Sequence, residues 1–117
     1  MVQRIYQLID SENPNIVIAE ESIMNKNAEV HRMLTMILGT IYGECLRKKI
    51  DYRFLRPTTW RSLIRLEGEK LPRKRDDLKK WSLQKVNELF GVIDVDDNVS
   101  DAILIGCAFL NKEKKDV

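Results

Sequence analysis

Carboxylates occur in this chain in two groups whose positions suit metal chemistry. The first is Glu20, which follows the apolar run at residues 16–19. A run that is apolar on both faces is typical of a central strand in a covered sheet, and ligand sites in open α/β sheets lie at the carboxyl ends of the strands. A carboxylate there is costly to bury unless it is paired or binds a metal. In the alternative interpretation the strand ends at Ala19, and Glu20 and Glu21 are solvated.

The second group surrounds the start of the last predicted helix and consists of Asp94, Asp96, Asp97 and Asp101. An Asp at a helix N-cap or in the first turn needs no function, because the free amides and the macrodipole favour it there. Asp101 differs because it lies about one turn inside the helix, beside an apolar run. Asp97 is four residues and Asn98 three residues before Asp101, so either pair shares a helix face.

These residue types indicate oxygen-rich metal ligation. Carboxylate and amide oxygens, without a His or Cys cluster, are the ligands that Mg²⁺ prefers. Such a cluster can hold two ions about 4 Å apart and hydrolyse phosphodiesters, one ion activating water and the other stabilising the leaving oxygen. Cys45 and Cys107 have no Cys or His at ligand spacing and are interpreted as buried thiols in a reducing compartment. His31 is interpreted as a helix-surface residue.

The net charge of +2 conceals a strong segregation of charge. From Arg47 to Lys85 there are fourteen Lys and Arg against five Asp and Glu, and the remainder has six against thirteen. A basic central stretch favours an anionic partner such as nucleic acid, although solvated helices coated with long charged side chains are the alternative. No apolar run reaches 18 residues and no apolar segment follows Met1, so neither a membrane span nor a signal peptide is expected.

The elements that must position these residues alternate between helix and strand. Periodicity and breakers predict helices at 3–12, 27–48, 57–67, 77–90 and 99–110, strands at 16–22 and 52–56, and a basic loop at 67–76. Such alternation is typical of an α/β fold with a largely parallel sheet. The strand at 16–22 needs neighbours on both edges, so a further strand is expected upstream.

The helix at 27–48 carries an unusually wide apolar stripe. Its central row is Val30, Leu34, Ile37, Ile41 and Cys45, and Met33, Met36 and Leu38 widen it. A stripe this wide favours burial on two sides, one against the sheet and the other against a second subunit. A Met-rich helix that is simply part of the core is the alternative.

Three segments resemble motifs of the RuvC-like Holliday-junction resolvases, also called crossover junction endodeoxyribonucleases. Residues 16–27 resemble the strand that ends in a catalytic Glu and continues into a long, Asn-capped helix. Residues 96–103 resemble the last motif, an acidic pair three residues apart followed by Ala and an apolar helix. Residues 73–80 resemble the basic segment of the phage and Gram-positive versions. Together the motifs cover essentially the whole chain in the family's order.

The resemblance implies an α/β fold of the RNase H-like, RuvC type, with a mixed sheet flanked by helices. It implies one nuclease domain over residues 1–117 that lacks the N-terminal strands of the family. The family consists of cytoplasmic, homodimeric endonucleases of recombination and repair that nick four-way DNA junctions. They depend on Mg²⁺, with Mn²⁺ as an alternative ion.

The family's site residues carry over onto a few positions of this chain. The resemblance assigns catalytic roles to Glu20 and Asp101, with Asp97 as a further candidate, and metal ligation to Glu20, Asn98 and Asp101. There are two departures from the pattern. Asn98 stands where the family has an acid, and the family's first strand and its Asp have no counterpart, because Asp10 lies on a predicted helix.

The basic segment completes the implied DNA interface. The residues expected to neutralise phosphates are Lys26, Arg73, Lys74, Arg75, Lys79 and Lys80. Such contacts position DNA without reading its sequence and make binding strongly salt-dependent, while the junction is recognised mainly by its shape. Two alternatives remain. One is a non-catalytic junction-binding module on the same fold, and the other is an interaction protein whose acids only cap helices.

Overall fold

The fold is known from a computed structural model, which describes residues 2–21 and 27–115. The helices and strands follow the predicted order. They are α1 (Val2–Glu12), β1 (Ile16–Glu20), α2 (Ala28–Lys48), β2 (Asp51–Leu55), α3 (Pro57–Ile64), α4 (Arg75–Phe90) and α5 (Asp97–Lys115). The prediction of a mixed α/β structure is therefore confirmed, and the RNase H-like fold stays a prediction. Within the described ranges no helix is both long enough and apolar enough to cross a membrane.

Several predicted element ends were wrong by a few residues. Strand β1 ends at Glu20 rather than at residue 22, and α3 ends at Ile64 rather than near Gly68. Helix α4 begins at Arg75 rather than at Asp77, so the predicted basic loop is shorter. Helix α5 begins two residues before Val99, because the Asp96 carboxylate accepts a 2.8 Å hydrogen bond from the Val99 amide and caps the helix.

The chain divides into two compact units, Met1–Arg56 and Pro57–Val117, which we call unit 1 and unit 2. Unit 1 contains α1, β1, α2 and β2. Its described strands form a two-stranded parallel sheet, in which Ile16 is opposite Asp51 and Glu20 is opposite Leu55. The predicted single domain over residues 1–117 stays a prediction.

The core of unit 1 forms where α1 and the C-terminal half of α2 meet the strands. Ile9, Ile41 and Cys45 are buried there, and partly buried Val17 and Tyr52 pack against them. An ion pair between Asp10 and Lys48 also joins α1 to α2. Asp10 is therefore part of a helix–helix contact.

The fully buried residues of α2, Ile41 and Cys45, lie in its C-terminal half, and its N-terminal half is largely exposed. Val30, Met33, Leu34 and Met36 all present substantial surface to solvent, although they belong to the apolar stripe. Burial of this helix on two sides is therefore not achieved by the residues that the structure describes. The second subunit that was expected to cover it stays a prediction.

Unit 2 is a three-helix arrangement in which α5 packs against both α3 and α4. Its buried apolar side chains come from all three helices and are Trp60, Ile64, Trp81, Val86, Leu104, Ile105 and Ala108. Three polar side chains are buried with them, at Ser82, Lys85 and Ser100. Buried polar groups require partners, and each of the three has one. Ser82 contacts Asp101 of α5, Lys85 pairs with Glu69, and the Ser100 hydroxyl donates to the Asp97 carbonyl of its own helix.

Candidate functional site

The carboxyl end of β1 carries the first predicted catalytic residue. The strand includes Glu20, which is partly buried, so the alternative in which the strand ends at Ala19 is wrong. The neighbouring Glu21 lies outside the strand. Its amide donates a 2.8 Å hydrogen bond to the Leu55 carbonyl, and its carboxylate accepts a 2.9 Å hydrogen bond from Arg56 Nε. Glu21 therefore has a surface ion pair, and Glu20 terminates the paired strand.

The entry to α2 has the geometry that the Asn in the predicted motif requires. Asn27 adopts an extended conformation, and its side-chain oxygen accepts hydrogen bonds from the amides of Glu29 at 3.0 Å and Val30 at 3.3 Å. This satisfies two of the amides that a helix start leaves without partners. The predicted DNA contact Lys26 lies outside the described residues.

Asp101 lies at the centre of a polar cluster that joins α4 to α5. Its carboxylate accepts a hydrogen bond from the hydroxyl of Ser82, which is 1% exposed. One turn earlier on both helices, Lys79 Nζ lies 3.4 Å from Asp97 Oδ2. Because 79 and 82 are three apart on α4 and 97 and 101 are four apart on α5, two matched contacts fix one helix against the other. We call Arg61, Lys79, Ser82, Asp97 and Asp101 the Asp101 cluster.

Burial dominates the electrostatics of Asp101. Loss of hydration raises the pKa of the Asp101 carboxyl above its ordinary value, and the negative charge of Asp97 adds to this rise. The Ser82 hydrogen bond and the positive charges of Arg61 and Lys79 act in the opposite direction without cancelling it. A carboxylate with a raised pKa in a half-buried cluster is more often found at functional sites than on ordinary surfaces.

Arg61 is a member of this cluster that the sequence did not single out. It extends from α3, and its Nε is shielded from solvent and has no hydrogen-bond partner among the described residues. Its guanidinium carbon lies 5.0 Å from the centroid of the Trp60 ring. Ser82 was also missed. The sequence did contain a signal for it: Ser82 follows Trp81 on the apolar face of α4. A hydroxyl at such a position needs a hydrogen-bond partner.

The basic residues expected to contact DNA lie near the start of α4. Arg73, Lys74, Arg75 and Lys80 are exposed, and none of the four makes an ion pair within the described part of the chain. Lys79 is different because it is partly buried and pairs with Asp97. Four exposed cations on one segment are available to an anionic ligand, whereas the charge of Lys79 is partly committed to the Asp101 cluster.

The predicted metal ligands supply the right atoms and are divided between the two units. Asp97, Asn98 and Asp101 belong to unit 2, with Asn98 exposed, and Glu20 belongs to unit 1. Across residues 2–21 and 27–115, no three His, Cys, Asp or Glu side chains are grouped closely enough to hold a metal ion. The donor types fit Mg²⁺, but the described grouping does not form a metal site by itself.

Comparison with known proteins found no relative: no family model, no curated protein and no solved structure matches the chain. The resemblance to the resolvases therefore depends on the three sequence motifs and stays a prediction. Function has to be argued from the residues and their geometry.

Proposed function

We propose that this protein is a Mg²⁺-dependent, structure-specific endonuclease of the RuvC type that acts on four-way DNA junctions. The observation that carries the proposal is the pairing of α4 with α5. Four exposed cations lie on α4 and on the two residues before it, and α5 holds Asp101 half-buried with a raised pKa. The cations can neutralise DNA phosphates, and a carboxylate with a raised pKa is typical of functional sites. Here both lie at a pair of packed helices.

In this proposal the residues divide into two roles. Arg73, Lys74, Arg75 and Lys80 bind the phosphate backbone, and Lys26 and Lys79 assist them. Glu20 and Asp101 are both required for cleavage, with Asn98 as an uncharged ligand and Asp97 as an additional carboxylate. The metal, Mg²⁺ or Mn²⁺, would activate water and stabilise the leaving oxygen. The acting form is a homodimer, which would nick two strands of the junction symmetrically.

Cleavage of a labelled four-way junction tests the proposal, with linear duplex as the substrate control and EDTA as the metal control. The variant is Glu20→Gln, and the matched control is Glu21→Gln, which removes the neighbouring charge and its surface pair with Arg56. The expected result is junction-selective nicking in Mg²⁺ that Glu20→Gln abolishes and Glu21→Gln retains. Equal activity of the two variants, or equal nicking of duplex, would refute the assignment.

A second candidate is a non-catalytic module that binds junctions on the same fold. The observation that favours it is the surroundings of Asp101, where Arg61, Lys79 and Ser82 supply the compensation that a metal would otherwise supply. The uncharged Asn98 favours it as well. This candidate predicts salt-sensitive binding of the junction by the unmodified protein in both Mg²⁺ and EDTA, with no nicking in either.

A further inference from the structure

A second polar feature of unit 2 shares no residue with the Asp101 cluster. It is a cavity of about 470 Å³ between the end of α3 and the segment that leads to α4. Small-ligand sites in proteins span roughly 300–1,000 Å³, so the cavity is large enough to hold part of a ligand. The side chains that line it and could contact an anion are Ser62, Arg65, Lys70 and Arg73. We call it the α3–α4 pocket.

Among the described residues that line the pocket, Glu69 is the acidic one. Its charge is neutralised by Lys85, which does not line the pocket. Its Oε1 lies 2.8 Å from Nζ of Lys85, which is 5% exposed. The same oxygen accepts a 2.9 Å hydrogen bond from the Leu66 amide, and Oε2 accepts one of 3.2 Å from Trp81 Nε1. These contacts hold the pKa of the Glu69 carboxyl below its ordinary value, so the residue is a structural anchor.

Glu69 also holds the turn that forms one wall of the pocket. Glu69 closes a tight turn, in which its amide donates to the Leu66 carbonyl at 3.0 Å and Gly68 adopts the left-handed conformation that favours glycine. Arg65 Nη1 donates a 2.9 Å hydrogen bond to the Glu69 carbonyl. This bond uses one of the five donors of the guanidinium and fixes the others at the pocket. Arg65 is therefore a positioned cation.

The positive charge of the pocket is not neutralised by the acidic side chains that the structure describes. Arg65, Lys70 and Arg73 make no ion pair with any described acidic side chain, and Lys85 is the cation that pairs with Glu69. Three cations and the Ser62 hydroxyl are thus left facing a concave surface. Uncompensated cations around a hydroxyl donor are suited to phosphate oxygens, which accept charge-assisted hydrogen bonds.

We propose that the α3–α4 pocket binds the phosphodiester backbone of a DNA strand, through Arg65 and Lys70 together with Arg73. The proposal depends on DNA being the ligand of the protein, as argued above. It extends the predicted contact at Arg73 to Arg65 and Lys70, which the sequence motifs do not include. In this arrangement the guanidinium of Arg65 donates hydrogen bonds to one phosphate, and Lys70 and Arg73 neutralise the neighbouring phosphates.

Salt dependence of DNA binding measures how many phosphates a protein neutralises. The experiment compares the unmodified chain with Arg65→Gln/Lys70→Gln, using a labelled four-way junction in EDTA over a series of KCl concentrations. Each lost phosphate contact reduces the slope of log Kobs against log salt by about 1, so the double variant is expected to lose about 2. The matched control is Lys49→Gln/Lys112→Gln, which removes the same charge from exposed sites and is expected to keep the slope.

A charge-preserving variant separates phosphate binding from damage to the turn. Arg65→Lys/Lys70→Arg retains both cations and is expected to keep most of the slope. An unchanged slope in Arg65→Gln/Lys70→Gln, or an equal loss in the Lys49→Gln/Lys112→Gln control, would overturn the proposal. Failure to bind the junction would overturn it as well.

Amide NMR of the full chain with a short single-stranded DNA separates this proposal from the proposed nuclease function. Saturable shifts at Ser62 and Gly68 in a protein that does not nick junctions would support the pocket and contradict the nuclease. Absence of those shifts in a protein that nicks junctions would overturn the pocket alone.

Discussion

At the scale of single residues, Asp101 is held in an unfavourable environment that its neighbours only partly relieve. Burial raises the pKa of its carboxyl, while Ser82, Arg61 and Lys79 lower it. A protein selected only for stability would do better with an uncharged residue at such a position. The presence of a carboxylate at this position is consistent with a functional role, since sites that act on substrates commonly reduce stability.

Replacing Ser82 with Ala should weaken the packing of α4 on α5. The buried hydroxyl donates to the Asp101 carboxylate, and losing a buried hydrogen bond that satisfies a charged group costs about 1–3 kcal/mol. Urea denaturation should show that reduction in the free energy of unfolding, whereas Ser62→Ala, at an exposed position of α3, should change it little. Equal effects of the two substitutions would mean that the hydrogen bond contributes nothing specific.

Replacing Asp101 with Asn should raise the free energy of unfolding at neutral pH. The folded state raises the pKa of this carboxyl, so the ionised form destabilises the fold above the folded pKa and ceases to do so as pH falls. The advantage of the variant should shrink as pH decreases and vanish below the ordinary value of 3.8. Urea titrations at a series of pH values measure this, and a variant that is less stable at neutral pH would contradict it.

At the scale of helices, strands and turns, side-chain anchors determine where the elements begin and end. Asn27 fixes the start of α2, Asp96 fixes the start of α5, and Glu69 fixes the turn before α4. Two of these residues, Asn27 and Asp96, lie within sequence motifs that indicated chemistry. Their structural roles explain why polar residues occur there without assigning them to the reaction.

Removing the cap of α2 should destabilise unit 1. Asn27→Ala leaves the Glu29 and Val30 amides without their side-chain acceptor, and loss of such a cap costs about 1 kcal/mol. Thermal unfolding followed by circular dichroism should show the loss. Asn27→Asp is the control, because Asp caps helices as well as Asn does, and it should retain the stability of the unmodified chain. A destabilised Asp variant would indicate a role beyond capping.

Glu69→Gln should destabilise unit 2 in a pH-dependent way. The substitution removes the nearer carboxylate partner of buried Lys85 and leaves Glu88 Oε2, which lies 3.6 Å from Nζ. A reduction of about 1–3 kcal/mol is expected because Glu69 itself is partly solvated. The folded pKa of Glu69 is lowered, so its contribution is present above the ordinary value of 4.5 and is lost as pH falls through the folded pKa. Urea unfolding at several pH values, with exposed Glu67→Gln as the control, checks this. A difference that did not shrink in acid would contradict it.

At the scale of the whole molecule, the sequence predicted the local features well. The alternation of helix and strand and the apolar strand that leads to Glu20 follow from periodicity and short-range rules. The Asn27 cap of α2 was expected from the motif resemblance. The contacts of Asp101 with Ser82 and Arg61, and of Glu69 with Lys85, were not predicted. They join residues on different elements. A single sequence does not show which side chains that are far apart along the chain come into contact.

The most direct test of the proposed endonuclease is the single-turnover rate of junction nicking in Mg²⁺ by Asp101→Asn, measured beside its free energy of unfolding. Loss of a metal-binding carboxylate removes several kcal/mol of transition-state stabilisation, so the rate should fall by about a hundredfold or more while the fold becomes more stable. Junction binding in EDTA should be retained. A variant that nicks junctions at the rate of the unmodified protein would contradict the role of Asp101 in cleavage.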